Sequence, residues 1–166
     1  VPQKLAQWCK AHGRRLIHVS SQGVFSGEEP PYRPSSVRFP VNKYGQQKAR
    51  AEDAVLAYEQ QVVRLTFVLG VRPFETGREN PLEQMLRLGE QVQVDDRYFS
   101  VCFARDAATA LWSIALTSRD PDVDDRILHV GTPCRTSRYT LTLMANHLHG
   151  DLIHARGEAV VVPVVR

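Results

Sequence analysis

What this chain lacks narrows its function first. Its 166 residues carry a net charge of only +3, and its basic residues are scattered. The dense positive stripe that a phosphate backbone demands is therefore missing, and no nucleic-acid partner is expected. The longest apolar stretch, AVVVPVV at 159–165, falls far short of the about 20 residues that a membrane-spanning helix needs. No signal-peptide pattern is visible, and no membrane partner is expected. Cysteine is scarce: Cys9, Cys102 and Cys134 are widely spaced and never form a C-x-x-C pair. That argues against a disulfide framework or a zinc site and fits a reducing, cytoplasmic setting. None of the ten glycines falls in a G-x-G-x-x-G pattern, so the chain itself holds no phosphate-cradling turn of that kind.

No metal site is expected either. DPDVDD at 120–125 imitates the start of a calcium loop, but Asp125 stands where that loop needs glycine and Gly131 where it needs its closing glutamate. His147 and His149 are two apart on a predicted helix and do not share a face, and His154 follows at a distance.

What is present describes an ordinary globular protein. A hydrophobic fraction of 43% and a charged fraction of 23% suit a water-exposed surface around a substantial core. Strand and helix signals alternate along the chain. Pro2 opens a helix that Gly13 stops, with Leu5, Trp8 and Cys9 on one side. RLIHVS (15–20) is a short, mostly apolar strand in which His18 reads as a satisfied core histidine. Residues 21–41 hold two glycines and four prolines and form a long loop, which in a compact domain is more often functional than idle. KYGQQKARAEDAVLAYEQ (43–60) is a helix, and QVVRLTFVLG (61–70) a single strand closed by Gly70. A helix near 81–88, a QVQV strand (91–94), a helix over 105–118 and a strand at 126–131 follow. On the 105–118 helix, Ala107, Ala110, Leu111 and Ile114 form the apolar face, and Asp106 favours the N-terminus. Ser137 reads as the N-cap of a last helix ending at Gly150, and Trp8 and Trp112 read as core. Such alternation implies a parallel α/β sheet, whose ligands sit where strands end and loops begin.

Two loops then occupy the right kind of place. The first strand runs out at Ser20 and Ser21, and the long loop ends in PVNKYGQQK (40–48). Tyr44 and Lys48 are one helical turn apart, so hydroxyl and ammonium approach the same point. A neighbouring cation favours a phenolate, which makes a tyrosine a better proton donor to, or acceptor from, an oxygen near neutral pH. A serine hydroxyl at the strand end can hold that same oxygen. Asn42 either orders the loop or starts the helix.

These pieces, in this order, resemble the extended short-chain dehydrogenase/reductases, and within them the dTDP-4-dehydrorhamnose reductase group. The resemblance rests on RLIHVSSQGVFSG, on P-x-N-x-Y-G-x-x-K within EEPPYRPSSVRFPVNKYGQQKARAE, on VVRLTFVLG, on FARDAATALW and on RILHVGTPCRTSRYTLTLMA. It implies an α/β fold: the C-terminal part of a Rossmann-like doubly wound parallel sheet plus a small α/β substrate-binding region. Residues 1–70 would be the second half of an NAD(P)-binding domain carrying the catalytic residues. Residues 71–166 would mix a substrate-binding region with returning Rossmann elements. By resemblance the catalytic residues are Ser21, Tyr44 and Lys48, with Ser20 the weaker choice for the hydroxyl. Tyr44 and Lys48 would also contact the cofactor, NADP or NAD, and Ser21, Gln22 and Phe67 the substrate, although from its residues alone Phe67 reads rather as plain core. The implied reaction is reduction of a nucleotide-activated 4-keto sugar, in a protein that would form a homodimer.

Two other functions share the pattern. A sugar-nucleotide epimerase or dehydratase would use the same triad, and a regulatory subunit resembling the methionine adenosyltransferase β-subunit would imply a partner enzyme instead of a substrate. The chain departs from the reductase pattern at Gln22, Gly23 and Gln47. With Val1 first and the glycine-rich turn missing, it also reads as a fragment of a longer enzyme, inactive alone.

Overall fold

The structure, a computed structural model, describes residues 1–70, 90–94, 98–117, 126–137, 139–141, 144 and 160–164. The expected helix at 81–88, the DPDVDD segment, Gly150 and His147, His149 and His154 lie outside the described residues. The chain divides into two units: Val1–Thr66 with Asp106–Gly131, and Phe67–Arg105 with Thr132–Arg166.

The first unit is a parallel α/β layer. Helix α1 spans Pro2–Ala11, strand β1 Ile17–Ser21, helix α2 Lys43–Leu56 and strand β2 Gln61–Leu65. Strand β1 pairs with β2 in parallel, from Ile17 opposite Gln61 to Ser21 opposite Leu65. The parallel α/β sheet expected from the sequence is therefore present. Strand β6, Ile127–Val130, extends it on the far side of β2, again in parallel. Parallel strands need a long crossover, and the loop plus α2 supplies it.

Helix α1 begins because Pro2 suits the first helical turn, and it gives way at Gly13, whose φ of 61° favours glycine. It buries Ala6 and Cys9, and Ala6 joins Val55 of α2 and Val62 of β2 in the core, with Leu16, Leu56 and Tyr58 packed around them. The two tryptophans depart from expectation. Trp8 is half exposed and stacks on His12 at 4.3 Å, because the small residues Ala6 and Cys9 take the inward positions of α1. Trp112, on the helix Ala104–Leu116 (α3), is 68% exposed, since that helix fully buries only Ala107 among the described residues. Ala110, Leu111 and Ile114 are half-buried, as their spacing predicts.

The run QVVRLTFVLG is two strands instead of one. It breaks at Thr66, whose amide donates to the Val130 carbonyl and whose side chain fills the space beside Gly131. Strand β3, Phe67–Leu69, then belongs to the second unit.

In that unit, β3 pairs in parallel with β5 (Tyr98–Phe103), and β5 pairs antiparallel with β7 (Arg135–Ser137). Strand β4, Glu90–Val94, contains the expected QVQV segment and pairs in parallel with β8, Val160–Val164. Ser137 caps the turn after β7, accepting from the Thr140 amide at 3.1 Å. Cys9, Cys102 and Cys134 are all free thiols. Among the described residues, no helix is long and apolar enough to cross a membrane.

Candidate functional site

The site is built where β1 ends and α2 begins. Strand β1 runs directly into a single 3-10 turn, Gln22–Val24, whose N-cap is Ser21. The Ser21 hydroxyl accepts the Gly23 amide at 3.1 Å, which leaves its own proton to be donated. Helix α2 starts at Asn42, whose side-chain oxygen accepts the Gly45 amide at 2.8 Å. Of the two roles open to Asn42, the helix start is the one the structure shows.

Two glycines bring these ends together. Gly45 is buried, and a β-carbon on it would overlap the Gly23 carbonyl and lie 2.9 Å from Pro40 Cβ. Only a hydrogen at that position lets α2 approach the turn so closely. Gly23 in turn lies under the Tyr44 ring: a β-carbon there would meet Tyr44 Cε1 at 3.4 Å and Ser21 Oγ at 3.5 Å. Tyr44 and Ser21 thus flank the same small space, and the Tyr44 side chain is 55% exposed and open to a ligand.

Lys48 completes the group. Its ammonium donates to the Val19 carbonyl at 3.1 Å and lies 5.8 Å from the centre of the Tyr44 ring. An ammonium has three N–H donors, so two remain beyond the bond to Val19. The structure therefore brings Ser21, Gln22, Tyr44 and Lys48 to one end of β1. Phe67 belongs to the second unit, where its ring packs against Phe99 with centres 4.9 Å apart.

His18 is a correction. It is half-buried, and its Nε2 is enclosed without a hydrogen-bond partner among the described residues. Burial and the nearby Lys48 charge hold its pKa below the usual imidazole value. It is an enclosed ring with an unpartnered nitrogen, not a satisfied core histidine.

The long loop between Ser21 and Asn42 is ordered by Tyr32. The phenolic oxygen accepts the Gly27 and Glu29 amides, each at 3.0 Å, and pairs with Ser26 Oγ at 3.2 Å. The ring stacks on Phe25 at 4.3 Å. This gives the PPYR run a structural job.

Beneath the loop lies a set of charges that sequence reasoning passed over. Glu52 and Arg64 are both fully buried and share a bidentate pair, at 3.0 and 2.8 Å. Arg38 adds a bond to the same carboxylate at 3.1 Å and a second to Asp53. Burial alone would raise the Glu52 carboxyl, but Arg64, with Arg38 beside it, outweighs burial and holds it below its ordinary value. The signals were available: a lone arginine inside the apolar run QVVRLTF, and a glutamate one turn beyond Lys48.

The family model for the RmlD substrate binding domain matches residues 1–157. The chain belongs to this family. A dTDP-4-dehydrorhamnose reductase of Mycobacterium tuberculosis is 37% identical across 83% of this chain and 46% of its own length. Methionine adenosyltransferase 2 subunit beta of Xenopus tropicalis is 48% identical over 54 residues, covering 32% of this chain and 16% of that protein. Among solved structures, a dTDP-4-dehydrorhamnose reductase of Bacillus anthracis in complex with NADP superposes with a TM-score of 0.79. At 21% identity over 98% of this chain and 55% of that one, it shows the shared Rossmann-like α/β fold. This RmlD-type chain spans about half the length of the curated reductase it matches.

Proposed function

We propose that this chain supplies the proton-donating and substrate-side part of an NAD(P)-dependent reductase acting on a nucleotide-activated 4-keto sugar of the dTDP-4-dehydrorhamnose type. One observation carries the reading: Ser21 Oγ and the Tyr44 ring border the same space over Gly23, and Lys48 is anchored to β1 beside that ring. Tyr44 donates a proton to the carbonyl oxygen as that oxygen gains charge. Ser21, whose hydroxyl already accepts from Gly23, turns its own proton to the same oxygen and orients it. Lys48 holds its charge beside the phenol, and its remaining N–H donors suit ribose hydroxyls. The open face of Tyr44 at the end of a parallel strand fits a nicotinamide ribose. When bound, the dinucleotide supplies the hydride to the carbonyl carbon. The identity to the Mycobacterium tuberculosis reductase supports the sugar-nucleotide class.

The test uses protein expressed from its full reading frame, supplied with NADPH or NADH and a dTDP-4-keto-6-deoxy sugar. Loss of the reduced-nicotinamide absorbance is expected, and Tyr44→Phe lowers kcat at least about 100-fold, the usual worth of a positioned acid. Equal turnover by Tyr44→Phe would overturn the reading. The similarity to methionine adenosyltransferase 2 subunit beta supports a second reading, a regulatory subunit. Absence of turnover, together with altered kinetics of a methionine adenosyltransferase on adding this protein, would select it.

A further inference from the structure

The charges under the loop raise a question of cost. Removing a carboxylate and a guanidinium from water costs several kcal/mol each, and an apolar pair of similar volume is often as stable. Yet Glu52 and Arg64 are 0% and 3% exposed in the middle of the unit that holds the site. Their location suggests what the charges do there.

Tyr44, Lys48 and Glu52 follow one another at intervals of four on α2, so all three lie along one face of the helix. Arg64 lies directly opposite Ser20 in the β1–β2 register, one residue before Ser21, and directly opposite His129 in the β2–β6 register. Glu52 therefore fixes α2 to the row of the sheet that holds Ser20, next to the row of Ser21. The remaining donors of the guanidinium hold the loop: Arg64 Nη1 donates to the Pro34 carbonyl at 3.1 Å and lies 3.2 Å from His129 Nε2. Its carbon sits 5.1 Å from the centre of the Phe25 ring, which stacks on Tyr32. Arg38 reaches the Glu52 carboxylate from the far end of the loop and also bonds the Ala49 carbonyl at 3.0 Å. One carboxylate thus gathers strand, helix and the loop that joins Ser21 to Tyr44.

We infer that Glu52 and Arg64 are positioning residues, a directional clamp that sets the rotation of α2 and so places Tyr44 and Lys48 over the end of β1. This rests on the reductive role proposed for Tyr44. Apolar packing is non-directional and tolerates small rotations of a helix, whereas a bidentate pair does not. A rotation of α2 by about 10° carries a tyrosine oxygen on the order of 1 Å, given the radius of a helix with its side chains. A displacement of about 1 Å at a reacting group costs roughly 100-fold in rate.

The experiment separates positioning from stability. Glu52→Leu leaves Arg64 buried and unpaired, and lowers both Tm and kcat. The double variant Glu52→Leu/Arg64→Leu removes both charges, and its Tm is expected to return to within a few degrees of wild type. Its kcat is expected to stay at least about 30-fold low, with KM for the sugar nucleotide little changed. Recovery of kcat together with Tm would show a structural pair only and overturn the inference. Should the double variant not fold, Glu52→Gln assayed well below its own Tm decides, and a kcat within about twofold of wild type overturns the clamp. If wild-type protein reduces no sugar nucleotide, the proposed reaction fails and the clamp is read by amide exchange in the first turns of α2. There, protection lowered at least about 10-fold in the stable double variant supports it, and unchanged protection overturns it.

Discussion

Gly45 is a residue whose side chain is defined by what cannot be there. Any β-carbon would strike the Gly23 carbonyl and crowd Pro40, so the nearness of α2 to the Ser21 turn depends on it. Gly45→Ala is expected to destabilise the protein by about 3 kcal/mol, the upper range for forced overpacking, as read from urea unfolding midpoints. Gly27 makes the contrast: its φ of 91° favours glycine, but a β-carbon there would meet nothing within 4 Å. Gly27→Ala is expected to cost only about 1–2 kcal/mol through backbone conformation, by the same measurement. Tyr44 and Lys48 were legible in the sequence because their spacing of four is a property of any helix. Gly45 was visible as part of a pattern, but its reason was not, since the carbonyl it admits lies 22 positions away in the chain. Glu52 and Arg64 were missed for a related reason. Their partnership joins a helix to a strand, and no periodicity within either segment announces it.

Helix α2 is the element on which the site depends, and its start is set by a cap. Asn42→Ala removes the acceptor for the Gly45 amide and is expected to cost about 1 kcal/mol, with faster exchange of that amide. Because the cap lies two residues before Tyr44, the same variant is expected to lower turnover more than a change of equal cost at the other end of the helix. Elements with strong local signals were readable: α1 with its proline start, α2 with its cap, the apolar core of β1 and the β6 run. Two features were not. Thr66 divides an unbroken β-rich run because the chain leaves one sheet for another there, and the sequence QVVRLTFVLG contains no glycine or proline at the break. Strand β5 (YFSVCF) lies immediately before a helix with no turn residue between them, so it lacks the punctuation by which strands are recognised.

At the scale of the molecule, the buried ionisable groups fix how it meets acid. Glu52 has a folded pKa below its unfolded value near 4.5, so its contribution is present above that pH and is lost as pH falls through the folded value. His18 and His129 are both held below 6.5, by burial first and then by Lys48 and Arg64 respectively. The unfolded chain therefore takes up their protons first, and stability begins to fall once the pH drops below about 6.5. Thermal melts across pH should show a gentle decline from there that steepens below about 4.5, and Glu52→Gln should weaken the steep limb and deepen the gentle one, because the Glu52 charge favours protonation of His18 and His129. The first unit has a further consequence, one of timing. Strands β1 and β2 and their crossover helix are complete once Leu65 has been made, but β6 begins at Ile127, roughly 60 residues later. At ordinary translation speeds that interval lasts roughly 3–12 s. During it, β2 is an edge strand: Glu52 can already grip Arg64, but the far side of the sheet has open backbone groups where Ile127–Val130 will pair. The newborn chain must keep that edge from other strands until its own arrives, and slow codons between 66 and 126 would lengthen the exposure.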